Sequence, residues 1–498
     1  MCPNPFSHIP NFPNLKIRST KMSSSTGIDL NNIQGDILSG LPKKAEAFFF
    51  FEIDKNVAAF RARLHKVVPL IASDKSVASG REKIAAHRKK QSGFLSLAFA
   101  NISFSSKGLQ KLGINAAEAK DDGFTAGMLP DAKELGDAGT GVDGKPFDPK
   151  WIPEFKKGTI DGVIVVAGDC EQSINKKLDE ILHVFQKTVH KVINISGHSR
   201  PGKESGHEHF GFLDGVSNPA VAGISEDLST QGPVKPGVIL LGRDGDAQAA
   251  DRPGWAKDGS FLAFRLLQQL VPEFDRFLEL NAPQVNDPAV DTAELLGARF
   301  TGRWKSGAPI QVTPVEDDPE LAADKTRNNV FTFDQGNQDK CPFAAHVRKM
   351  NPRGDIPIDA INQHKVMRRG IQYGPEVDDQ EKQQHKTQKD RGLLFVSYQS
   401  SLGNGFQFLQ KAWANRPNFP PNAPTGQTPG LDPLIGQVDT SVHNEGPRSM
   451  TGANPTNVSA SMDLGFQVWV VPKGGEYFFS PSISVLRDTF AKKGEDQL

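Results

Sequence analysis

The chain reads as an α+β protein made of two similar units, and three observations point there. Apolar and aromatic runs bounded by turn formers alternate with amphipathic helical patterns through the first half. A second set of such elements, in similar order, follows a linker near 225–256 without any repeat at residue level. With 498 residues, the chain is long enough for two such units, each with its own core.

In chain order, 45–53 (AEAFFFFEI), 93–104 (GFLSLAFANISF) and 161–169 (DGVIVVAGD) predict strands. Residues 57–71 and 171–190 carry helical periodicity, the second placing Leu178, Ile181, Leu182 and Phe185 on one face. The second unit begins with a strand at 259–267 and a helix at 268–281. It continues with a strand at 392–399, a helix from about Phe408, and strands at 465–472 and 477–482. Residues 283–391 show little regular patterning, and so long a segment in a compact chain is usually functional. It contains GRWKSGAP, CPFAAHVRKMNPR and VMRRGIQYGPE, whereas 376–391 (EVDDQEKQQHKTQKDR) reads as a solvated loop. The resulting division is a disordered arm over 1–27, a first domain over 28–240 and a second over 241–498.

Acidic and basic residues balance at 58 each, so no net field favours nucleic acid or an anionic membrane. Small neutral or amphipathic partners fit better. Phe is favoured, 32 against five Trp and three Tyr, which suits bulky filling around something large. Cys2, Cys170 and Cys341 are too few and too far apart for a disulfide framework or a zinc cluster, so Cys170 and Cys341 read as buried free thiols. The first 25 residues hold four prolines and no apolar stretch of a secretory kind. On sequence the chain is therefore cytoplasmic, and the sequons at Asn101, Asn194 and Asn457 would matter only in an exported protein.

Residues 206–219 (GHEHFGFLDGVSNP) set one acid, Asp214, between an aromatic-glycine run and a turn-forming Asn-Pro. Glycines allow close approach of the backbone, so Asp214 is either a catalytic acid or a buried capping residue. His207 and His209 lack a third ligand at fixed spacing for a metal. His346 differs: small residues precede it and Arg348, Lys349 and Arg353 follow, a pattern that would admit a flat, bulky cofactor with carboxylates at its edge. Haem has that shape, and neutral imidazole is its common ligand. A satisfied core histidine is the competing reading.

Asp214 in GFLDG, His346 in CPFAAHVRK, Arg368 in VMRRGIQYGPE and the segment NNIQGDIL (31–38) together resemble the dye-decolourising peroxidases, of the long fungal type. The resemblance runs from about Ile28 to about Val485 and includes GSFLAFR, LLGARFTGRWKSGAP, RGLLFVSYQ, GLDPLIGQ and GGEYFFSP. It implies two ferredoxin-like α+β domains, each an antiparallel sheet with packed helices, of the dimeric α+β barrel type. One haem b per chain would be held mainly by the second domain. By this resemblance His346 is the proximal ligand, Asp214 and Arg368 stand on the distal face, Arg353 lies near a propionate, and Ile33, Gln34 and Gly35 line the cavity. Leu393 and Phe395, i and i+2 on a strand, share one face and would roof the distal pocket. Asp432 would orient His346 from behind.

The implied activity is reduction of hydrogen peroxide with oxidation of anthraquinone dyes, phenolics and other bulky aromatic donors. Asp214 would move the peroxide proton, kept ionised by Arg368, and an acid rather than a histidine implies an acidic optimum. A pocket sized for peroxide excludes dyes, so electrons would enter through surface Trp413 and Tyr373; core packing and a buried hydroxyl are their structural alternatives. Asp378, Asp379 and Glu381 could bind Mn²⁺, against the simpler reading of a solvated charge run. A haem carrier or sensor, and a chlorite-converting haem enzyme, are the rival functions. The protein would be a monomer or a homodimer, and export is what the fungal resemblance suggests against the N-terminal sequence.

Overall fold

The computed structural model describes residues 27–491 apart from 91–92, 142–144, 286–287, 289 and 438–447, so the expected N-terminal arm lies almost wholly outside it. The first half contributes strands β1 (Ala45–Ile53), β2 (Ala98–Phe104), β3 (Gly162–Gly168) and β4 (Val189–His198). Helices α1 (Val57–Val67), α2 (Asp74–Lys90) and α3 (Glu171–Phe185) connect them. The second half supplies β5 (Ser260–Gln269), β6 (Met367–Arg368), β7 (Ile371–Tyr373), β8 (Gly392–Gln399) and β9 (Val470–Ser480). Its helices include α4 (Val271–Leu280), α5 (Thr292–Thr301), α6 (His346–Met350) and α7 (Asp379–Gln384).

These nine strands form one antiparallel sheet in the order β4-β1-β3-β2-β9-β5-β8-β6, with β7 also paired to β8, and two short hairpins lie apart from it. Each half thus repeats one arrangement, its last strand beside its first, then third, then second. That is the ferredoxin-like pattern, met twice. The halves join where β2 meets β9 at Phe104 and Phe479, and the Ser103 and Ser480 hydroxyls bond across the seam at 2.6 Å. At the other end β4 touches β7, and the sheet curls on itself.

Phenylalanines fill the interior of that curl. Phe264 on β5 meets Phe48 and Phe50 on β1, with ring centroids 5.1 and 4.9 Å apart, which ties one half to the other by burial of aromatic area. Their abundance therefore serves protein-on-protein packing, not the filling around a large guest expected from composition.

Several elements differ from expectation. Helix α3 ends at Phe185, because the β-branched run that follows forms edge strand β4. The polar helix α2 buries only Asp74, Val77 and Gly80, too little for an apolar stripe to show. The two strands expected over 465–482 are one, β9, interrupted by a register shift between Pro472 and Gly474. A Cβ on Gly474 would stand 2.3 Å from Phe155, so that glycine admits a ring against the strand instead of making a turn. Residues 376–391 are not merely a solvated loop: Asp378 and Glu381 form a capping box on α7. Cys170 is disulfide-bonded, a correction to its reading as a free thiol. Cys341 is free and buried, its thiol pushed up to about 12 by burial. Among the described residues no helix is long and apolar enough to cross a membrane.

Candidate active site

Asp214 lies in an irregular loop fixed from inside. Glu208 accepts the N–H groups of Phe210 and Phe212 at 2.9 and 2.8 Å and the Gln269 amide, and Asp214 N–H reaches back to Gly206 O at 3.0 Å. Gly215 then takes φ +73°, a conformation that L side chains adopt rarely, and donates its N–H to Asp214 Oδ1 at 2.6 Å. Asp214 caps no helix, which removes the purely structural alternative. Arg368, at the end of β6, brings Nη1 to 3.5 Å from Asp214 Oδ1, and both side chains remain about a third exposed (34% and 30%). Sequence positions 154 residues apart thus form one acid–guanidinium pair open to solvent-sized molecules.

His346 opens α6. Its Nδ1 donates to Asp432 Oδ2 at 2.8 Å, with Asp432 fully buried and the imidazole 25% exposed. Asp432 Oδ1 accepts the N–H groups of Leu434 and Ile435 at 2.9 and 3.0 Å, so the carboxylate cannot turn. This arrangement leaves the proton on Nδ1 and the lone pair on Nε2, which no described residue engages. Such an imidazole is prepared for a metal. Ala344 and Ala345 are buried in the core, and a Cβ on Gly302 would lie 3.5 Å from that of Ala345. Their small size lets α5 pack against the His346 segment, rather than clearing space for a cofactor.

Buried Arg303 and Arg353 and half-buried Lys365 stand near the distal pair without a carboxylate partner. Arg353 bonds only to Asn329 and to Ser217 Oγ (2.9 Å), and its Nε is buried with no partner. Arg303 bonds to Gly307 O, Asn328 O and Asn329 Oδ1, and Lys365 to Gln231 and Asn351. Burial, and then the charges of Arg353 and Arg368, push Arg303 down to about 9 and Lys365 well below its usual range. Burial likewise lowers Arg353 to about 10. Uncompensated buried cations with an orphaned N–H suit an anionic group such as a haem propionate. With the free Nε2 of His346, this donor set fits haem.

The other expected residues divide. Leu393 and Phe395 are half-buried while Leu394 and Val396 beside them are buried, and Phe395 packs against the core with its ring 5.9 Å from that of Phe406. A Cβ on Gly370, two residues from Arg368, would lie 3.4 Å from Leu393 Cδ1. Ile33, Gln34 and Gly35 are a correction: all are buried in the core, not on a cavity. The Gln34 amide bonds Ile102 on β2 and Pro481 O at 2.8–2.9 Å, and a Cβ on Gly35 would strike Val77. Trp413 and Tyr373 are not surface residues, with only 4% and 7% of each exposed. The Trp413 ring stacks on Phe419 at 4.9 Å and meets His364 and Phe408 edge-on. The Tyr373 hydroxyl donates to Asp390 at 3.0 Å, and burial followed by that carboxylate raises its pKa. Glu381 is fully buried against Arg391; burial opposes its charge, yet Arg391 and backbone N–H groups hold it down to about 2. It is no manganese ligand, and among the described residues no three acidic, His or Cys side chains cluster as a metal site.

Comparison with known proteins agrees with this geometry. Residues 32–201 match the model of the DyP dimeric alpha+beta barrel domain, and residues 298–419 that of the Dyp-type peroxidase C-terminal domain. A dye-decolorizing peroxidase of Mycetinis scorodonius is 44% identical over 94% of this chain and 89% of its own. One from Auricularia auricula-judae is 41% identical, over 94% and 88%. The crystal structure of a fungal DyP-type peroxidase from Auricularia auricula-judae, 41% identical, superposes with a TM-score of 0.83, covering 94% of this chain and 100% of that one. A dye-decolorizing peroxidase variant of Pleurotus ostreatus, 49% identical, gives 0.88 over 93% and 100%. With both halves of the duplicated sheet and the site-bearing segments inside these matches, the chain belongs to the DyP-type peroxidase family.

Proposed function

We propose that the chain binds one haem b through His346 and uses hydrogen peroxide to oxidise bulky aromatic donors such as anthraquinone dyes and phenolics. The observation that carries this reading is the Asp214–Arg368 pair, 3.5 Å apart and still open, near buried cations that lack counter-ions. A haem carrier or sensor needs no such pair. When bound, haem supplies a ferric centre that takes up peroxide and stores its two oxidising equivalents.

The protein's own groups do the proton work. Gly215 N–H and Arg368 both address Oδ1 of Asp214, leaving Oδ2 to take the proton from one peroxide oxygen and return it to the other, which departs as water. The Arg368 guanidinium stabilises negative charge on the separating oxygens. Asp432 keeps the His346 proton on Nδ1, so that Nε2 would be free to hold the iron. Leu393 and Phe395 narrow the approach and keep bulky donors out, which makes a protein side chain the electron donor. Trp413 has the shorter bonded route: Asp432 N–H donates to Ala414 O, next to Trp413, at 3.0 Å, and Asp432 holds His346.

The test is stopped-flow absorbance of holoprotein mixed with peroxide, then with an anthraquinone dye. Asp214→Asn should keep the haem spectrum and slow the reaction with peroxide at least about a hundredfold. An unchanged rate removes Asp214 from the mechanism. Turnover of chlorite without bleaching of the dye would favour the chlorite-converting alternative.

A further inference from the structure

The loop that carries Asp214 also grips Arg368 by its backbone. Asn218 Oδ1 accepts the Arg368 N–H at 3.0 Å, and Asn218 Nδ2 donates to the Arg368 C=O at 3.3 Å. Strand β6 is the edge of its sheet, paired with β8 on one side only, and Arg368 turns its peptide groups outward there. One side-chain amide therefore does what a neighbouring strand would do, donating and accepting at a single residue.

The next residue back adds a third point: Ser217 O accepts Arg368 Nη2 at 3.3 Å. Ser217 Oγ meanwhile accepts Arg353 Nη2 at 2.9 Å, so the same short turn also holds a buried cation. Pro219 restricts Asn218 to extended backbone, which limits where its amide can point. Only four residues separate Asn218 from Asp214. The 3.5 Å between acid and guanidinium is thus set within one turn and not by the meeting of two distant segments alone.

We propose that Asn218 is a positioning residue of the distal pair: its amide holds Arg368 at the separation from Asp214 that proton transfer to peroxide requires. The inference rests on the peroxidase reading above, and the experiment separates the two. Asn218→Ala, made in the full chain and loaded with haem, is compared with wild type and Asp214→Asn.

Hydrogen exchange read by mass spectrometry, on apoprotein and holoprotein, should show the Arg368 amide protected in wild type and exposed in Asn218→Ala, with protection elsewhere unchanged. The rate with peroxide should fall roughly tenfold or more, since displacement of a reacting group by about 1 Å has effects of that order. KM for peroxide should rise, while the rate of dye oxidation at saturating peroxide stays at the wild-type value. A purely structural role would instead lower the thermal midpoint and both kinetic constants together. Asn218→Asp, which retains the acceptor and loses the donor, should recover the protection of the Arg368 amide; Asn218→Leu, of similar shape and without either polar atom, replaces the alanine variant if that does not fold.

Loss of protection with an unchanged peroxide rate overturns the proposal, and so does unchanged protection. If Asp214→Asn is slow but Asn218→Ala is not, only this inference fails; if Asp214→Asn is itself unaffected, the reading of the site fails.

Discussion

Asp432, bonded to His346, and Asp214, paired with Arg368, are both acids, yet their surroundings are opposite. Asp432 is fully buried and accepts three N–H groups, whereas Asp214 is about a third exposed and has one oxygen uncommitted. The same contrast extends to their neighbours. Next to His346, Arg348 is buried with Asp355 and bonds three backbone carbonyls, and Lys349 is buried against the carbonyls of Trp413 and Arg416. Arg368 keeps its guanidinium largely free. A metal ligand gains from a fixed tautomer and angle, while a proton shuttle has to meet small molecules and exchange with them. Rigidity on one side and access on the other follow from those separate tasks.

The largest break in this comparison comes from His346→Ala. Without Nε2 the ligand proposed for the iron is gone, and haem retention, read from the Soret absorbance after gel filtration, should be lost. Asp214→Asn should keep haem and lose chemistry. If His346→Ala held haem with an unaltered spectrum, the two sides would have been assigned wrongly.

Asp432→Asn comes next. Its Oδ1 would still accept the Leu434 and Ile435 N–H groups, but an N–H₂ would then face His346 Nδ1. The imidazole would answer by moving its proton to Nε2, the atom that has to bind iron. Haem affinity should fall roughly ten- to a hundredfold, measured by transfer of haem to apomyoglobin. Equal affinity would mean that the buried carboxylate does not set the tautomer.

How much of this was legible in the sequence depended on whether a feature is local. Strands β1 and β8 have the expected bounds to within a residue, because short apolar runs rich in aromatic and branched residues and ended by turn formers leave few alternatives. Strand β9 does not, since the Phe155 ring that makes Gly474 necessary is far away in sequence. His346 and Asp214 stood out as residue types in unusual settings, Arg368 was named only through the family resemblance, and the fold brings Asp214 and Arg368 together. Asn218 was legible only as a turn former, because its partner is 150 residues distant. Exposure was the poorest inference: Trp413 looks like a surface indole until Phe419 folds back over it. The capping box of Asp378 and Glu381 was readable from spacing alone and was hidden by the density of charge around it.

Trp413→Phe tests whether the rigid side also conducts electrons. Phe preserves most of the stacking on Phe419 and removes the oxidisable indole, so stability should change little. Oxidation of a bulky anthraquinone dye should fall roughly tenfold, with the rate toward peroxide unaltered. A dye rate equal to wild type would transfer the role to Tyr373 or to direct contact with the cavity.

The smallest effect is one of pH, and it separates the two sides by stability instead of rate. Burial pushes Lys349 down to about 7, despite the opposing attraction of Asp432. Between that value and the usual lysine range, the unfolded chain binds a proton that the folded one does not, so stability rises with pH across that window. It is lost again as pH falls through about 7, where the buried ammonium has to form. The slope is at most about 1.4 kcal/mol per pH unit. Lys349→Met removes the titration and also leaves the carbonyls of Trp413 and Arg416 without their donor, so the variant should be less stable at pH 9 than wild type. The difference in thermal midpoint should shrink as pH is lowered from 9 to 7. Asp214→Asn, on the open side, should leave the wild-type slope in place, and a Lys349→Met variant that kept that slope would show that the rigid side is not where the proton is taken up.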